Sequence, residues 1–344
     1  MRRLLPLLLA LASALPAGAD GPPPGGALPR PAAPPQAPPP ARPGAGREPG
    51  PAQAAAGPHA VVTSPGTGLP VPETRVTWRA VAMLPTEVGE GLGEYEARRV
   101  VAEMRWSRDL SSSVQVACDL ALERGSYRFE DEAALLPLGS GSLGEDYASG
   151  RLALGGSWRL SRTLGLALGA SLRASLMDGA HIDEALQPGG LLAVRMRLWG
   201  SSDLLLGISA TQGLEGDAYV LPIAGMGGSL GGGARRWRVE ARGPGASFVY
   251  DLTPRLALGA FAGYERRDIR LAPDAREPGG VLREQRAQVG VEAILRTQAG
   301  ASLHLCVGCA AWNRLSILDR EGEAVLEQDT DPAPFVQLEW ALRL

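Results

Sequence analysis

Leu164-Gly165-Leu166-Ala167-Leu168-Gly169-Ala170-Ser171-Leu172-Arg173-Ala174-Ser175-Leu176-Met177 decides the fold. Leu164, Leu166, Leu168, Ala170, Leu172, Ala174 and Leu176 fall on one parity; Gly165, Ala167, Gly169, Ser171, Arg173 and Ser175 fall on the other. A strand sends successive side chains to opposite faces, so this stretch has one greasy face and one small or polar face. Its fourteen residues exceed the roughly 5 or 6 of a typical globular strand and clear the roughly 9 to 11 that a tilted strand needs to cross a bilayer.

The same split runs through the chain. Val100, Ala102, Met104 and Trp106 alternate with Arg99, Val101, Glu103 and Arg105, and Val289, Val291, Ala293 and Leu295 alternate with Gln288, Gly290, Glu292 and Arg296. The chain closes on Val336, Leu338, Trp340, Leu342 and Leu344 against Gln337, Glu339, Ala341 and Arg343. Charge recurs in mid-strand at Arg236, Arg238, Glu240 and Arg242, around Trp237, Val239 and Ala241. A soluble sandwich hides its greasy face, whereas a membrane barrel wears it outside and encloses a polar lumen. Strand length and mid-strand charge favour the barrel.

Breaks in the alternation are short and long in turn. Tight turns are expected near 108–112, 161–163, 200–203, 251–254 and 297–300, and longer breaks near 125–146, 178–190, 268–282 and 316–331, the pattern of periplasmic turns and external loops. Trp106, Trp158, Trp199 and Tyr250 each precede a tight turn, and with Trp340 they form one expected interfacial girdle. Trp199 fits worst, because the parity of Leu192, Val194, Met196 and Leu198 aims it inward. The expected fold is all-β: a transmembrane antiparallel up-and-down β-barrel over residues 73–344, of about 14 strands, or about 12 if the segment around Pro222 and the Gly225–Gly233 run is not regular. An even count returns both chain ends to the periplasm.

Residues 1–19 carry a cationic start (Arg2, Arg3), an apolar stretch from Leu4 to Leu15 and the small-residue site Ala17-Gly18-Ala19, the three parts of a secretory signal peptide. Residues 20–72 are dominated by Pro, Ala and Gly and read as a disordered tether, since they hold too little apolar surface to offset the entropy of ordering. The expected place is the outer membrane. Membrane lipid and the barrel assembly machinery are the expected partners, with cell-wall or periplasmic contact through the tether.

Leu221-Pro222-Ile223-Ala224-Gly225, Arg236-Trp237-Arg238-Val239, Gly243-Pro244 and Tyr250-Asp251-Leu252-Thr253-Pro254-Arg255-Leu256 carry a resemblance. From about Thr74 onward the chain resembles a family of Gram-negative outer-membrane β-barrel proteins of undefined function. The resemblance implies fold and compartment and brings no catalytic residues. One departure is Leu344, where many such barrels end in an aromatic.

Composition narrows the chemistry. The chain has 344 residues, a net charge of −3 and 34 basic residues, every one of them arginine. Without lysine there is no phosphate-loop lysine and no Schiff base. The slight negative charge gives no reason to expect nucleic acid. No cofactor or metal is expected. Cys306 and Cys309 form a C-x-x-C, but in a strand residues three apart face opposite ways. His304 and Cys306 share a face, which suggests a nucleophile and base, yet nothing in the sequence anchors the imidazole. His181 lies beside Asp178, Asp183 and Glu184, which a solvated acidic loop explains as well as a weak cation site. The residues expected to line the lumen are Arg99, Glu103, Arg105, Arg151, Arg159, Arg173, Arg236, Arg238, Glu240, Arg242, Glu292, Arg296 and Glu339. Arginine outnumbers acid among them, so an open lumen would favour anions. A passive pore or transporter for small solutes, without catalysis, is the first expectation; a sealed structural or adhesion barrel and a barrel lipid hydrolase are the alternatives.

Overall fold

The computed structural model describes residues 73–89, 93–129, 146–198, 202–230, 237–242, 245–275, 277–297 and 300–344. The expected signal peptide, the tether, Trp199 and Arg236 lie outside them.

The strands are β1 (Glu73–Glu87), β2 (Glu94–Asp109), β3 (Val114–Phe129), β4 (Asp146–Arg159), β5 (Leu164–Met177), β6 (Leu186–Arg197), β7 (Asp203–Gln212) and β8 (Ala218–Leu230). They continue as β9 (Trp237–Arg242), β10 (Gly245–Asp251), β11 (Leu256–Arg270), β12 (Val281–Arg296), β13 (Ser302–Leu318), β14 (Ala324–Thr330) and β15 (Ala333–Arg343). Each strand up to β13 pairs antiparallel with its successor. The outer part of β13 then pairs with β14, its inner part with β15, and β15 returns to β1 from Arg75↔Arg343 to Met83↔Phe335. The ring is closed, with fourteen staves; β14 and β15 share the last one.

Parity decides which residues meet lipid. Leu164, Leu168 and Leu172 of β5, Leu152 and Leu154 of β4, and Val336, Leu338 and Trp340 of β15 are exposed on the exterior. Such an apolar surface around a closed antiparallel barrel is that of an outer-membrane protein. Trp78 and Trp340 stack across the closing seam at 4.8 Å, and Trp237 meets Tyr250 at 4.3 Å, both toward the tight-turn rim. The first and last staves begin and end at that rim, where Leu344 N donates to Thr74 O at 2.7 Å.

Several expected loops are strand instead. β3 runs on to Phe129, β11 and β12 flank only a short link, and the expected break at 316–331 holds β14 behind a tight turn at Gly322. Beyond the bilayer the outer face of a strand meets water or covering loops, so hydrogen bonding continues after apolar alternation has stopped. Loss of alternation therefore marks the edge of the membrane and not the end of the strand.

The long-loop rim is asymmetric. Hairpin β9–β10 is short: its pairing stops at Arg242↔Gly245, opposite Gly225 of β8 and Gly263 of β11. Above it, Ala218–Ala224 and Tyr264–Ile269 keep ladder partners on one side only. The end of β11 leans across the mouth instead, and Arg270 pairs in parallel with Leu176 of β5. A packed core fills the enclosure so formed. It joins Met83, Tyr95, Tyr127, Phe129, Tyr147 and Met177 to Ile269, Leu271, Leu282, Leu315, Ile317 and Phe335, with no member from β6 to β10.

Glycine permits the close packing beneath this core. The ring of Phe261 lies over Gly290 and that of Phe335 over Gly308, on paired strands. A Cβ at Gly290 would stand 2.6 Å from the Val307 carbonyl oxygen and 2.7 Å from the Phe261 ring. Gly290→Val is expected to destabilise the barrel by about 1–3 kcal/mol, the cost of overpacking. This reads as a lower temperature for loss of the compact, fast-migrating form on unboiled gels. Gly227→Ala is the neutral control, because a methyl there meets nothing within 4 Å.

Candidate functional site: the lumen

The inward parity carries charge in tiers, each built by strand register. Nearest the tight-turn rim, Arg105 binds Asp119 at 2.7 Å, and Asp251 takes Arg296 at 2.9 Å and Arg238 at 3.2 Å. Glu339 stands 3.8 Å from Arg75 and 3.7 Å from Arg79, and Glu103 takes Arg79 at 2.9 Å. Arg159 ends β4 at the same rim, and Glu240 sits exposed at an inward position of β9. Arg242 closes β9 opposite Gly225 and Gly245.

The expected absence of an anchor for His304 needs correction. Its Nε2 lies 3.2 Å from the Ser302 hydroxyl and its Nδ1 lies 3.9 Å from Glu292. The second distance is too long for a hydrogen bond, so Glu292 does not fix the ring. Cys306 is buried beside Gln337 on this face, Cys309 falls on the opposite parity, and all three cysteines are free. In the loop that holds His181, Glu184 reaches Arg320 at 3.5 Å and gives its carbonyl to Arg270.

The outer tier is the leaning β11–β12 hairpin, and sequence parity did not mark it. On its inner face Glu265 gathers Arg99 at 3.2 Å, Arg267 at 2.5 Å and Arg286. Glu284, 2% exposed, accepts from Tyr95 at 3.1 Å and Tyr127 at 2.9 Å. Asn313 donates to the Tyr95 oxygen at 2.7 Å, and Tyr147 donates to Glu123 at 2.6 Å. Arg266 and Asp268 have the parity of the lipid face yet are buried, because the β7–β8 turn covers them. Asp268 holds Arg266 and Arg283, each at 2.8 Å, while Glu215 of that turn takes Arg283, the Tyr219 hydroxyl, and Arg266 at 3.5 Å. Arg266 also lies over the Tyr219 ring at 4.5 Å. Arg270 stitches three turns by donating to the carbonyls of Glu184, Leu214 and Gly279. The one signal for this tier in the sequence is the unbroken charged run Glu265–Asp268 with the polar run Arg283-Glu284-Gln285-Arg286, polarity that no lipid-facing strand tolerates on both parities.

Beneath the hairpin a cavity of about 150 Å³ is bounded by Arg79, Glu103, Glu123, Arg151, Arg173 and Gln187, and by Glu265 to Asp268 above. Of the expected lumen residues, Arg173, Arg151 and Glu103 meet here, whereas Arg99 is absorbed into the hairpin network.

Glu284 is the keystone of the outer tier, since its removal strands two phenols and leaves Arg267 and Arg286 with one carboxylate fewer. Glu284→Ala is expected to cost about 3–5 kcal/mol, as breaking a buried charged network does. Glu284→Gln keeps an acceptor and should cost about 1–2 kcal/mol. Denaturant-induced loss of the folded gel band orders the two.

No family model and no curated protein matches the chain. Among solved structures it is similar to an outer-membrane channel from Pseudomonas putida F1, with 12% identity, a TM-score of 0.45, and coverage of 82% of this chain and 100% of that one. It is also similar to a deletion variant of the monoaromatic hydrocarbon channel TodX (8% identity, TM-score 0.43, 79% and 90% covered) and to LpxR from Salmonella typhimurium (10%, 0.33, 78% and 99%). Likenesses this loose say nothing of function, which the chain's own residues must supply.

Proposed function

We propose that this barrel is a passive channel for small hydrophilic or amphipathic solutes, closed at its outer mouth by the leaning β11–β12 hairpin and acting without a catalytic step. The observation that carries the reading is the cavity lined by charged and polar side chains beneath the hairpin. The way the hairpin is held adds support. On its outer side it is fixed to β7–β8 by the ion pairs of Glu215 and the stacking of Tyr219, with no ladder between β8 and β11. Side-chain contacts of this kind open at lower cost than a strand leaves a sheet. The second reading, a sealed structural barrel, draws on the dense pairing around Glu265 and Glu284.

Glu215 makes the two readings separable. Burial pushes its carboxyl up, but the Tyr219 hydroxyl and Arg283 outweigh burial and leave it below the ordinary value of 4.5. A carboxylate depressed on folding contributes fully above its unfolded value and loses that contribution as pH falls through the lower, folded one. The latch should therefore hold at neutral pH and release in acid. In planar bilayers the wild-type barrel should conduct in brief steps that lengthen on acidification. Glu215→Gln should conduct for longer at pH 7 with a flatter pH response, the residual slope coming from Asp268, which faces the same arginines. Silence from both proteins at every pH would remove the channel reading in favour of the sealed barrel.

A further inference from the structure

Arg151 of β4 and Arg173 of β5 are direct cross-strand partners on the inward face. Antiparallel partners hold their Cβ atoms about 4.5–5.5 Å apart, and like charges so placed repel. Neither arginine makes a hydrogen bond or ion pair among the described residues, and Arg151 Nε is buried without a partner. The two carboxylates whose field reaches Arg151 are already engaged, Glu103 by Arg79 at 2.9 Å and Asp119 by Arg105 at 2.7 Å. Glu123, one inward position up β3, is taken by Tyr147 and by Arg267 at 3.4 Å. The other charged tiers of this lumen are knitted into pairs, and this one is left with two guanidiniums facing each other.

We propose that Arg151 and Arg173 form a binding site for a small oxyanion, a carboxylate or phosphate group, held between their two guanidinium forks in the lumenal cavity. An anion placed there converts a repulsive pair into two charge-assisted, bidentate-capable contacts. Ser149, Ser171, Gln187 and Thr211 line the same cavity and add neutral donors. The volume of about 150 Å³ is that of a cavity able to hold a body of benzene's size, which leaves room for an oxyanion and bounds the organic part it can carry. The proposal deepens the channel reading by naming the class of solute, but binding itself requires no conduction.

The test is calorimetric titration of the detergent-solubilised full chain at low ionic strength with sodium benzoate and, separately, inorganic phosphate. Saturable one-to-one binding is expected for at least one probe, and which of the two binds more tightly tells a carboxylate site from a phosphate site. Arg151→Gln and Arg173→Gln should each weaken binding at least about tenfold, and Arg173→Lys, which keeps the charge and loses the fork, should weaken it less. Without ligand, either glutamine variant should unfold at a temperature equal to or above that of the wild type, because a repulsion has been removed. Undiminished binding in the variants, absence of binding for both probes, or a glutamine variant distinctly less stable than the wild type would each overturn the site, the last by showing that the arginines are structural cross-links. Binding by a barrel that never conducts would support the site and sink the channel; conduction that neither anion binds to or blocks would do the reverse.

Discussion

A backbone N–H or C=O left unpaired in hydrocarbon costs several kcal/mol, so a sheet that crosses a bilayer has to close on itself. Here closure falls to the pairing of β15 with β1, from Arg75↔Arg343 to Met83↔Phe335, sealed on the lipid side by the stack of Trp78 on Trp340. Everything else follows from that seam. Once the exterior parity must be apolar, polar side chains in mid-strand have one place left, and an arginine-only set of cations is gathered in a narrow space. Register then decides which charges meet. Arg105 lies across β2–β3 from Asp119, and Arg151 lies across β4–β5 from Arg173. One juxtaposition neutralises and the other does not, although the two follow from the same geometry.

Outside the bilayer the constraint relaxes, and the chain uses the freedom. The end of β11 leaves its place beside β10, crosses the mouth and touches β5, which splits the staves into two groups. Strands β1–β5 and β11–β15 enclose a packed aromatic and aliphatic core, while β6–β10 stand outside it with small inward residues such as Gly189, Ala193, Gly207 and Gly225. The first group resembles a folded soluble domain in its density of contacts. The second keeps its inward charges, among them Arg195, Asp203, Arg238 and Asp251, toward the tight-turn rim and leaves its outer half to small residues.

Period-two alternation made the staves legible. The strand around Leu164–Met177 and the last stave ending at Arg343 were placed within a residue or two, because lipid imposes a binary choice at every position. The same rule failed where lipid was absent. Residues 268–282 read as a loop, yet Asp268 and Arg270 within them, like Arg266 and Arg283 at their edges, are buried. Their burial depends on a turn more than fifty residues away in sequence, at Glu215, and no local pattern encodes such a contact. The partners of the lumen arginines were hidden for a related reason. Asp119 and Asp251 have inward parity in plain view, but parity says nothing about register, and register alone tells that Asp119 answers Arg105 while Arg151 has no carboxylate opposite.

The absence of lysine sharpens what the lumen can do. A lysine facing another cation can shed its proton and lower the repulsion, whereas a guanidinium stays charged at any pH the cell meets. An arginine pair enclosed in a barrel must therefore be answered by another protein group, by water, or by an anion that comes and goes. The first answer is already spent on Arg79, Arg105 and Arg267. The second leaves the Coulomb cost largely in place inside a low-dielectric wall. What remains is an anion, and an arginine pair fixed face to face by strand register would take one up without the strands having to move.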